Sequence, residues 1–337
     1  TTVVPPCNCA DENAMNIDRR TMISALALST GAMIAPKALS AKTSFKTTAK
    51  FFERTGFPIG LQLYALGADA GKDLDATFAQ VAEIGFREIE LPGLFGKTPA
   101  AISQAAQRAG LKINSVHLPL VPAGMPGLSM GSEPQRIAED LGTLGARWAV
   151  APLLMLPPGF RPQAGETMEN AISRSVSDAG TDVWKKTAAA LNEKAAALKP
   201  AGIGVAYHNH NLEFAPIGKT NGWEILWHET QPDLVYFEVD VGWVAAAGLD
   251  PAKFLKSASG RVRLAHLKDV AADNVPGYRI TMKPANMATG KLDFSAILAA
   301  ARNAGCQHFL FEQEPPFAIP RIEAARVAFD FLKEVKA

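Results

Sequence analysis

The chain has 337 residues, 48% of them apolar and 20% charged, which excludes a disordered protein and allows one large domain or two small ones. Its 34 basic and 33 acidic residues leave a formal net charge of +1, so we expect no nucleic-acid partner. Three cysteines are too few for a disulfide scaffold, and Cys306 is expected to be a buried apolar side chain. No apolar run reaches the roughly 18 residues of a membrane span, so no stable membrane anchor is expected.

The N-terminal region has the pattern of an export signal. Arg19 and Arg20 precede a short apolar run rich in small residues, as in a twin-arginine signal. This pattern predicts a periplasmic or exported protein, whereas a simple amphipathic helix at this position would leave the protein cytoplasmic. We assign residues 1–41 to targeting, 42–55 to a polar linker and 56–337 to the folded domain.

Short apolar segments alternate with amphipathic helical segments from residue 58 onward. Asp73, Thr98 and Asp293 mark helix starts, and glycines at the helix ends suit a left-handed cap before the next strand. Eight such units in about 280 residues predict a closed (β/α)8 TIM barrel of the α/β class, with an open doubly wound sheet as the alternative. The predicted strands are Ile59–Ala65, Phe86–Leu91, Leu111–Val116, Trp148–Leu153, Ile203–His208, Leu234–Asp240, Arg261–Leu267 and His308–Glu312.

Two long connections interrupt this alternation, at Pro152–Thr181 and Val270–Leu292. Each follows a predicted strand, so both should lie over the C-terminal mouth of the barrel, where TIM barrels keep their active sites. They are therefore candidates for lids over the site.

Ionisable side chains occupy the C-terminal ends of strands that should otherwise be apolar. Within a strand they are spaced by two residues, as in His266 and Lys268, and this period places them inside the barrel. Such groups are costly to bury without partners, and a bound metal ion is one way to satisfy them. Oxygen ligands with one imidazole suit Mn²⁺, Mg²⁺, Co²⁺ or Fe²⁺. The best candidate quartet of ligands is Glu213, Asp240, His266 and Glu312.

The segments that carry these residues resemble the xylose-isomerase-like TIM barrels of the sugar phosphate isomerase/epimerase family. The resemblance implies that the quartet binds one divalent metal, with Mn²⁺ as first choice and Mg²⁺, Co²⁺, Fe²⁺ or Zn²⁺ as alternatives. It further implies that Glu213 and Glu312 act as catalytic acid and base. The resembling segments are Gly60–Tyr64, Val205–Phe214, Phe237–Trp243, His266–Asp269 and Phe311–Glu314.

Other residues indicate which members of this family the chain resembles. The Tyr-His-Asn-His sequence at 207–210 is similar to that of exported family members, some of which act on 3-keto-glycosides. Trp243 stands where many members have a substrate-binding histidine, and Ala272 stands where epimerases have an arginine. The related endonucleases need more histidines than the six present. No glycine-rich phosphate cradle follows the last two strands, so a non-phosphorylated sugar is expected.

Five further residues are candidates for contact with the substrate, and each has a structural alternative. The histidines among them fit either sugar contacts or hydrogen-bonded positions in the core. Lys268 fits either an oxyanion contact or a pair with Glu238, and Trp243 fits either stacking on a sugar or packing of the mouth. The five are His117, His208, His210, Lys268 and Trp243.

Together these expectations describe an exported, metal-dependent sugar isomerase or epimerase. One glutamate is expected to remove the proton next to the carbonyl of a keto-sugar, giving a metal-held enediolate. A lyase or hydrolase acting on 3-keto-glycosides is the first alternative, and a non-catalytic sugar-binding barrel is the second. The expected partner is a small sugar or glycoside, and a homo-oligomer is left open.

Overall fold

Eight parallel strands close into a barrel in chain order. The last strand closes it by pairing in parallel with the first, with Leu61 opposite Phe311. The predicted (β/α)8 TIM barrel is therefore confirmed, and the open doubly wound alternative is excluded. The strands are β1 Ile59–Gln62, β2 Glu88–Leu91, β3 Lys112–His117, β4 Trp148–Ala151, β5 Gly204–His208, β6 Val235–Asp240, β7 Val262–Leu267 and β8 His308–Phe311.

Helices pack around the barrel and within its connections. Asp73, Thr98 and Asp293 start helices as predicted, because each side chain accepts the backbone N–H of the third residue after it. Among the helices of the described residues, none is long and apolar enough to cross a membrane. The helices are α1 Phe51–Thr55, α2 Leu74–Ile84, α3 Pro99–Ala109, α4 Pro134–Leu144, α5 Met168–Ala179, α6 Thr181–Leu198, α7 Gly222–Glu229, α8 Val241–Ala246, α9 Pro251–Ser257, α10 Phe294–Ala304 and α11 Arg321–Leu332.

The computed structural model describes residues 49–121, 127–157 and 159–337. The expected targeting segment at 1–41 and residues 42–48 of the expected linker lie outside these ranges and stay predictions. The end of that linker needs a correction, because α1 belongs to the barrel. Phe51 and Phe52 are 0% and 7% exposed, and the Phe51 ring lies edge-on to Phe309 at 5.3 Å. The two aromatic side chains in an otherwise polar segment supply the burial that a free linker lacks.

Two hydrophobic regions hold the barrel together. The larger lies between strands and helices and includes Trp184, Phe237 and Phe309. The smaller fills the barrel interior, and we call it the apolar plug. The plug consists of Val150, Ala206, Leu264 and Leu310. Since side chains alternate along a strand, the residue two positions beyond each plug residue lies above it, toward the mouth.

The two long connections lie at the mouth, as predicted. The first contains α5, and the second is folded back by a short antiparallel pairing of Asp269–Val270 with Pro284–Ala285. Residues from both connections line the cavity above the barrel, which fits their expected place as covers of the site.

Some element ends differ from the predicted ones. Strand β1 stops at Gln62, because the Gln62 side chain accepts the N–H of Tyr64 and starts a 3-10 helix over Leu63–Leu66. These differences leave the polar strand ends at the mouth unchanged.

Gly222 provides a test of the packing between α6 and α7. An added Cβ at Gly222 would overlap the indole of Trp184, which is fully buried. We expect Gly222→Ala to destabilise the protein by about 1–3 kcal/mol, measured by urea denaturation. The matched control is Gly142→Ala within α4, where an added Cβ meets nothing within 4 Å, and it should be neutral or stabilise by about 0.5–1 kcal/mol. Equal effects of the two substitutions would contradict this packing.

Candidate active site

The barrel interior above the apolar plug is filled with ionisable side chains. A lower layer contains Glu90 of β2, His117 of β3 and Glu238 of β6, all less than a tenth exposed. Above it, at the strand ends, lie four side chains that we call the upper group. The upper group is His208, Asp240, His266 and Glu312, from β5, β6, β7 and the residue after β8.

His117 lies between the two carboxylates of the lower layer. Its Nε2 is 3.0 Å from Glu90 Oε1 and 3.0 Å from Glu238 Oε2. Although burial lowers it, the pKa of His117 is raised to about 10 by Glu90 and Glu238. His117 is therefore a buried imidazolium that neutralises part of the charge of this layer.

The two histidines of the upper group also bond carboxylates of the lower layer. His266 Nε2 is 2.7 Å from Glu90 Oε1, while its Nδ1 is 2.6 Å from Glu312 Oε2. His208 Nδ1 is 3.0 Å from Glu238 Oε2, while its Nε2 faces Asp240 Oδ2 at 4.0 Å. A carboxylate on one ring nitrogen fixes the ring and directs the other nitrogen toward a ligand position.

The upper group fits a divalent metal ion. One ligand atom from each of its four residues lies within 4.8 Å of the others. The orientation of Asp240 suits a ligand. Its Oδ1 caps α8 by accepting the Trp243 N–H, and this leaves Oδ2 directed at the other members of the upper group. Asp240 Oδ2 has no well-directed hydrogen bond within the described residues, although Lys268 Nζ is 3.0 Å away. Two imidazoles with two carboxylates form a donor set for a divalent cation.

The local charge also favours a cation. Five carboxylates lie in or beside the two layers, against Lys268 and the two histidines whose pKa values are raised, His117 and His266. Before a metal binds, this leaves an excess of two negative charges in a buried region, and a divalent ion reduces this excess as it takes the place of the His266 proton. The carboxylates are Glu90, Glu238, Asp240, Glu312 and Glu314.

Glu213, expected as a metal ligand and catalytic group, lies apart from the upper group. It sits in the 3-10 turn Leu212–Phe214 beyond β5. Its Oε1 accepts from Tyr207 Oη at 2.7 Å and its Oε2 accepts from the His210 N–H at 2.8 Å. Tyr207 belongs to the core outside the barrel, so Glu213 faces away from the interior. His208 is the fourth member of the upper group in place of Glu213. It lies two residues after the plug residue Ala206, and this spacing could have identified it from the sequence.

A cavity of about 530 Å³ opens above the upper group. Four of the five expected substrate residues line it: His117, His208, His210 and Trp243. The Trp243 Nε1 and His210 Nδ1 atoms are buried and have no hydrogen-bond partner within the described residues. Burial and the charge of Lys268 lower the pKa of His210 to about 3, so its imidazole is neutral.

Lys268, the remaining substrate candidate, is not among the residues that line this cavity. Its ammonium lies 2.7 Å from Glu314 Oε1, 3.0 Å from Asp240 Oδ2 and 3.1 Å from Glu312 Oε2. Its alternative partner Glu238 is instead held by the histidines. Lys268 therefore forms ion pairs with the two carboxylates of the upper group, Asp240 and Glu312.

Sequence reasoning placed the two long connections over the site but did not identify the residues that form the walls of the cavity. Apolar residues of the first long connection form one wall, and the segment 280–282 of the second forms another. No arginine or lysine is among the described lining residues, and Glu169, Glu312 and Glu314 add negative charge. The described lining therefore offers a phosphate group no arginine or lysine partner. The first wall is Pro152, Leu153, Met168 and Ile172.

The sequence profile of the xylose isomerase-like TIM barrel family matches residues 78–335. The chain belongs to this family. It is 23% identical to an inosose dehydratase of Geobacillus kaustophilus over 59% of this chain and 63% of that enzyme. It is 22% identical to an inosose dehydratase of Clostridium perfringens over 79% of this chain and 92% of that enzyme.

A solved structure of a sugar phosphate isomerase/epimerase from Parabacteroides distasonis superposes with a TM-score of 0.63. The two are 22% identical, and the superposition covers 82% of this chain and 97% of that one. The named relatives are enzymes, so the prediction of an enzyme is confirmed, with a lyase among the alternatives it included.

The two candidate ligand sets can be separated by metal titration. Asp240→Asn keeps the cap of α8 but removes a charged ligand of the upper group, so Mn²⁺ affinity should fall by at least about a hundredfold. Glu213→Gln changes a side chain outside the group and should leave Mn²⁺ affinity unchanged. Isothermal titration calorimetry measures both. The reverse pattern would make Glu213 the ligand.

Glu213 also gives a pH test. Burial raises its pKa from 4.5 to about 7 despite the hydrogen bonds from Tyr207 and His210, so the folded protein holds this proton more tightly than the unfolded chain. This contribution to stability is full below pH 4.5 and is lost as the pH rises through 7. Relative to Glu213→Gln, the unfolding free energy of the unmodified protein should fall by up to about 3 kcal/mol over this range. Urea denaturation at several pH values measures the difference, and a constant difference would contradict the raised pKa.

Proposed function

We propose that this protein is a metal-dependent lyase that removes a proton next to the carbonyl of a small, non-phosphorylated keto-sugar or keto-polyol and then expels a β-substituent. One observation carries the proposal: the upper group lies at the floor of a sugar-sized cavity whose described lining lacks arginine and lysine. The names of the two inosose dehydratase relatives agree with elimination.

Different residues of the cavity carry out different parts of the proposed reaction. A divalent ion held by the upper group, with Mn²⁺ as our first choice, would supply Lewis-acid polarisation of the substrate carbonyl. Glu312 lines the cavity and is kept ionised, since Lys268 and His266 lower its pKa against the effect of burial. Glu312 is the base that accepts the α-proton. The electron pair left on the α-carbon forms the new double bond as the β-substituent leaves.

Tyr64 is suited to assist the leaving group. It lines the cavity, and burial together with Glu314 and Glu312 raises its pKa to about 12, so the phenol stays protonated. Its O–H can transfer a proton to the departing oxygen, and the proton accepted by Glu312 then restores the phenol through solvent. His210 and Trp243 line the same cavity and contact the rest of the substrate. Elimination of a hydroxyl thus yields an unsaturated ketone and water.

We rank elimination above the epimerisation expected from the resemblance. Epimerisation with two glutamates needs a second acid–base carboxylate opposite Glu312, and Glu213 bonds Tyr207 and His210 instead. The isomerase/epimerase name of the Parabacteroides structure keeps epimerisation as an outcome that the assay must distinguish.

A second candidate is cleavage of a 3-keto-glycoside by the same elimination. The apolar walls of the cavity favour it, because Met168, Ile172 and Ile280 are poor partners for hydroxyl groups but suit an apolar substituent. In that case the leaving group is the substituted oxygen at the anomeric carbon.

Proton NMR in D2O tests both candidates. The Mn²⁺-reconstituted enzyme, exchanged into Mg²⁺ or Co²⁺ where line broadening requires it, is incubated with inososes, free ketoses and 3-keto-glucosides. We expect loss of the α-proton signal together with a vinylic signal of the unsaturated ketone. Exchange into an epimer without that signal would contradict elimination, and no exchange across the set would contradict the proposed chemistry.

Replacement of the base gives a further expectation. Glu312→Gln should lower turnover by about 10²–10⁴-fold while the circular dichroism spectrum stays unchanged. The control is Glu83→Gln on the exposed face of α2, which should retain full turnover. Full activity of the Glu312 variant would remove this residue from its assigned role.

A further inference from the structure

One wall of the cavity is held in an unfavourable backbone conformation. Ile280 has φ +52, a left-handed value that β-branched residues rarely adopt. Ile280, Thr281 and Met282 line the cavity. A strained residue of this kind persists only where surrounding contacts fix it, and such residues concentrate at ligand-binding positions.

The contact that fixes it is the side chain of Asn211, which is fully buried. Asn211 Oδ1 accepts the N–H of Ile280 at 2.9 Å. Its Nδ2 donates to the carbonyl of Gly277 at 2.9 Å and to that of Thr281 at 3.2 Å. One amide therefore bonds three backbone groups of the segment 277–281, which we call the clamped turn.

Asn211 is itself positioned by the turn after β5. Glu213 bonds Tyr207 on the strand and the N–H of His210, so the residues between are fixed against the barrel. Glu213 therefore has a structural role, which is to hold the turn after β5. The clamped turn is thereby connected to β5 through two side chains, Glu213 and Asn211.

We propose that Asn211 is a positioning residue that determines substrate selectivity by holding the clamped turn as a wall of the cavity. The Asn211 side-chain hydrogen bonds found within the described residues all go to the turn, so it acts on the fit of the substrate and not on the metal. The clamp itself is independent of the proposed function, whereas its effect on selectivity rests on that function.

Limited trypsin digestion tests the clamp. Arg279 is exposed and precedes Ile280, so cleavage at this bond reports opening of the clamped turn. Asn211→Ala removes three hydrogen bonds and should accelerate cleavage at this bond at least about tenfold, measured by mass spectrometry of the fragment 280–337. The control is Asn114→Ala, another buried asparagine, located on β3 away from the turn, which should leave this rate unchanged.

Two outcomes of the digestion would overturn the clamp. One is an unchanged cleavage rate at Arg279 in Asn211→Ala. The other is an equal acceleration at all sites, which shows general loss of stability. Mn²⁺ affinity of this variant, measured by calorimetry, should stay within about threefold of the unmodified protein, because Asn211 bonds the clamped turn and is not a ligand. Loss of metal binding would place Asn211 with the upper group and contradict the proposal.

Selectivity is measured with whichever substrate is turned over in the D2O assay. Asn211→Ala should raise KM about tenfold or more, with kcat changed much less. Ile280→Gly, which keeps the clamp but removes the apolar side chain, should raise KM only for substrates with an apolar substituent. A fall in kcat with unchanged KM would contradict the selectivity role. If no substrate is found, the proposed function fails while the digestion still decides the clamp.

Discussion

The interior of this barrel depends on two imidazoles held between carboxylates. His208 and His266 each bond a carboxylate of the lower layer through one nitrogen and face the upper group with the other. Isolated, the buried carboxylates and the His266 imidazolium would destabilise the fold by several kcal/mol each. Paired through short contacts between imidazole nitrogens and carboxylate oxygens, they instead form a network whose remaining negative charge is directed to the mouth. The apolar plug beneath keeps water from entering this network from below.

The fold separates chemistry from selectivity. The groups assigned to metal binding and proton removal lie on strands or at strand ends, where the barrel fixes them. The cavity walls come from two long connections, and one of these is tied to β5 by the side chain of Asn211. This separation fits the way TIM barrels vary their substrates by changing loops above a constant scaffold.

Alternation of strands and helices was enough to predict the barrel. The same period of two identified Asp240, His266 and Glu312, because strand geometry determines which way those side chains point. Glu213 could not be placed this way, since it lies in a 3-10 turn whose direction depends on its bonds to Tyr207 and His210. Contacts across the barrel, such as Glu90 with His266, join residues 176 positions apart and follow from closure and register, which the sequence pattern does not contain.

The central claim is that the upper group binds one divalent ion at the floor of the cavity. Anomalous diffraction at the manganese edge, from crystals grown with Mn²⁺, tests it most directly. The account predicts one strong peak within coordination distance of His208, Asp240, His266 and Glu312. A peak at Glu213, a peak confined to the lower layer, or no peak at saturating Mn²⁺ would contradict it.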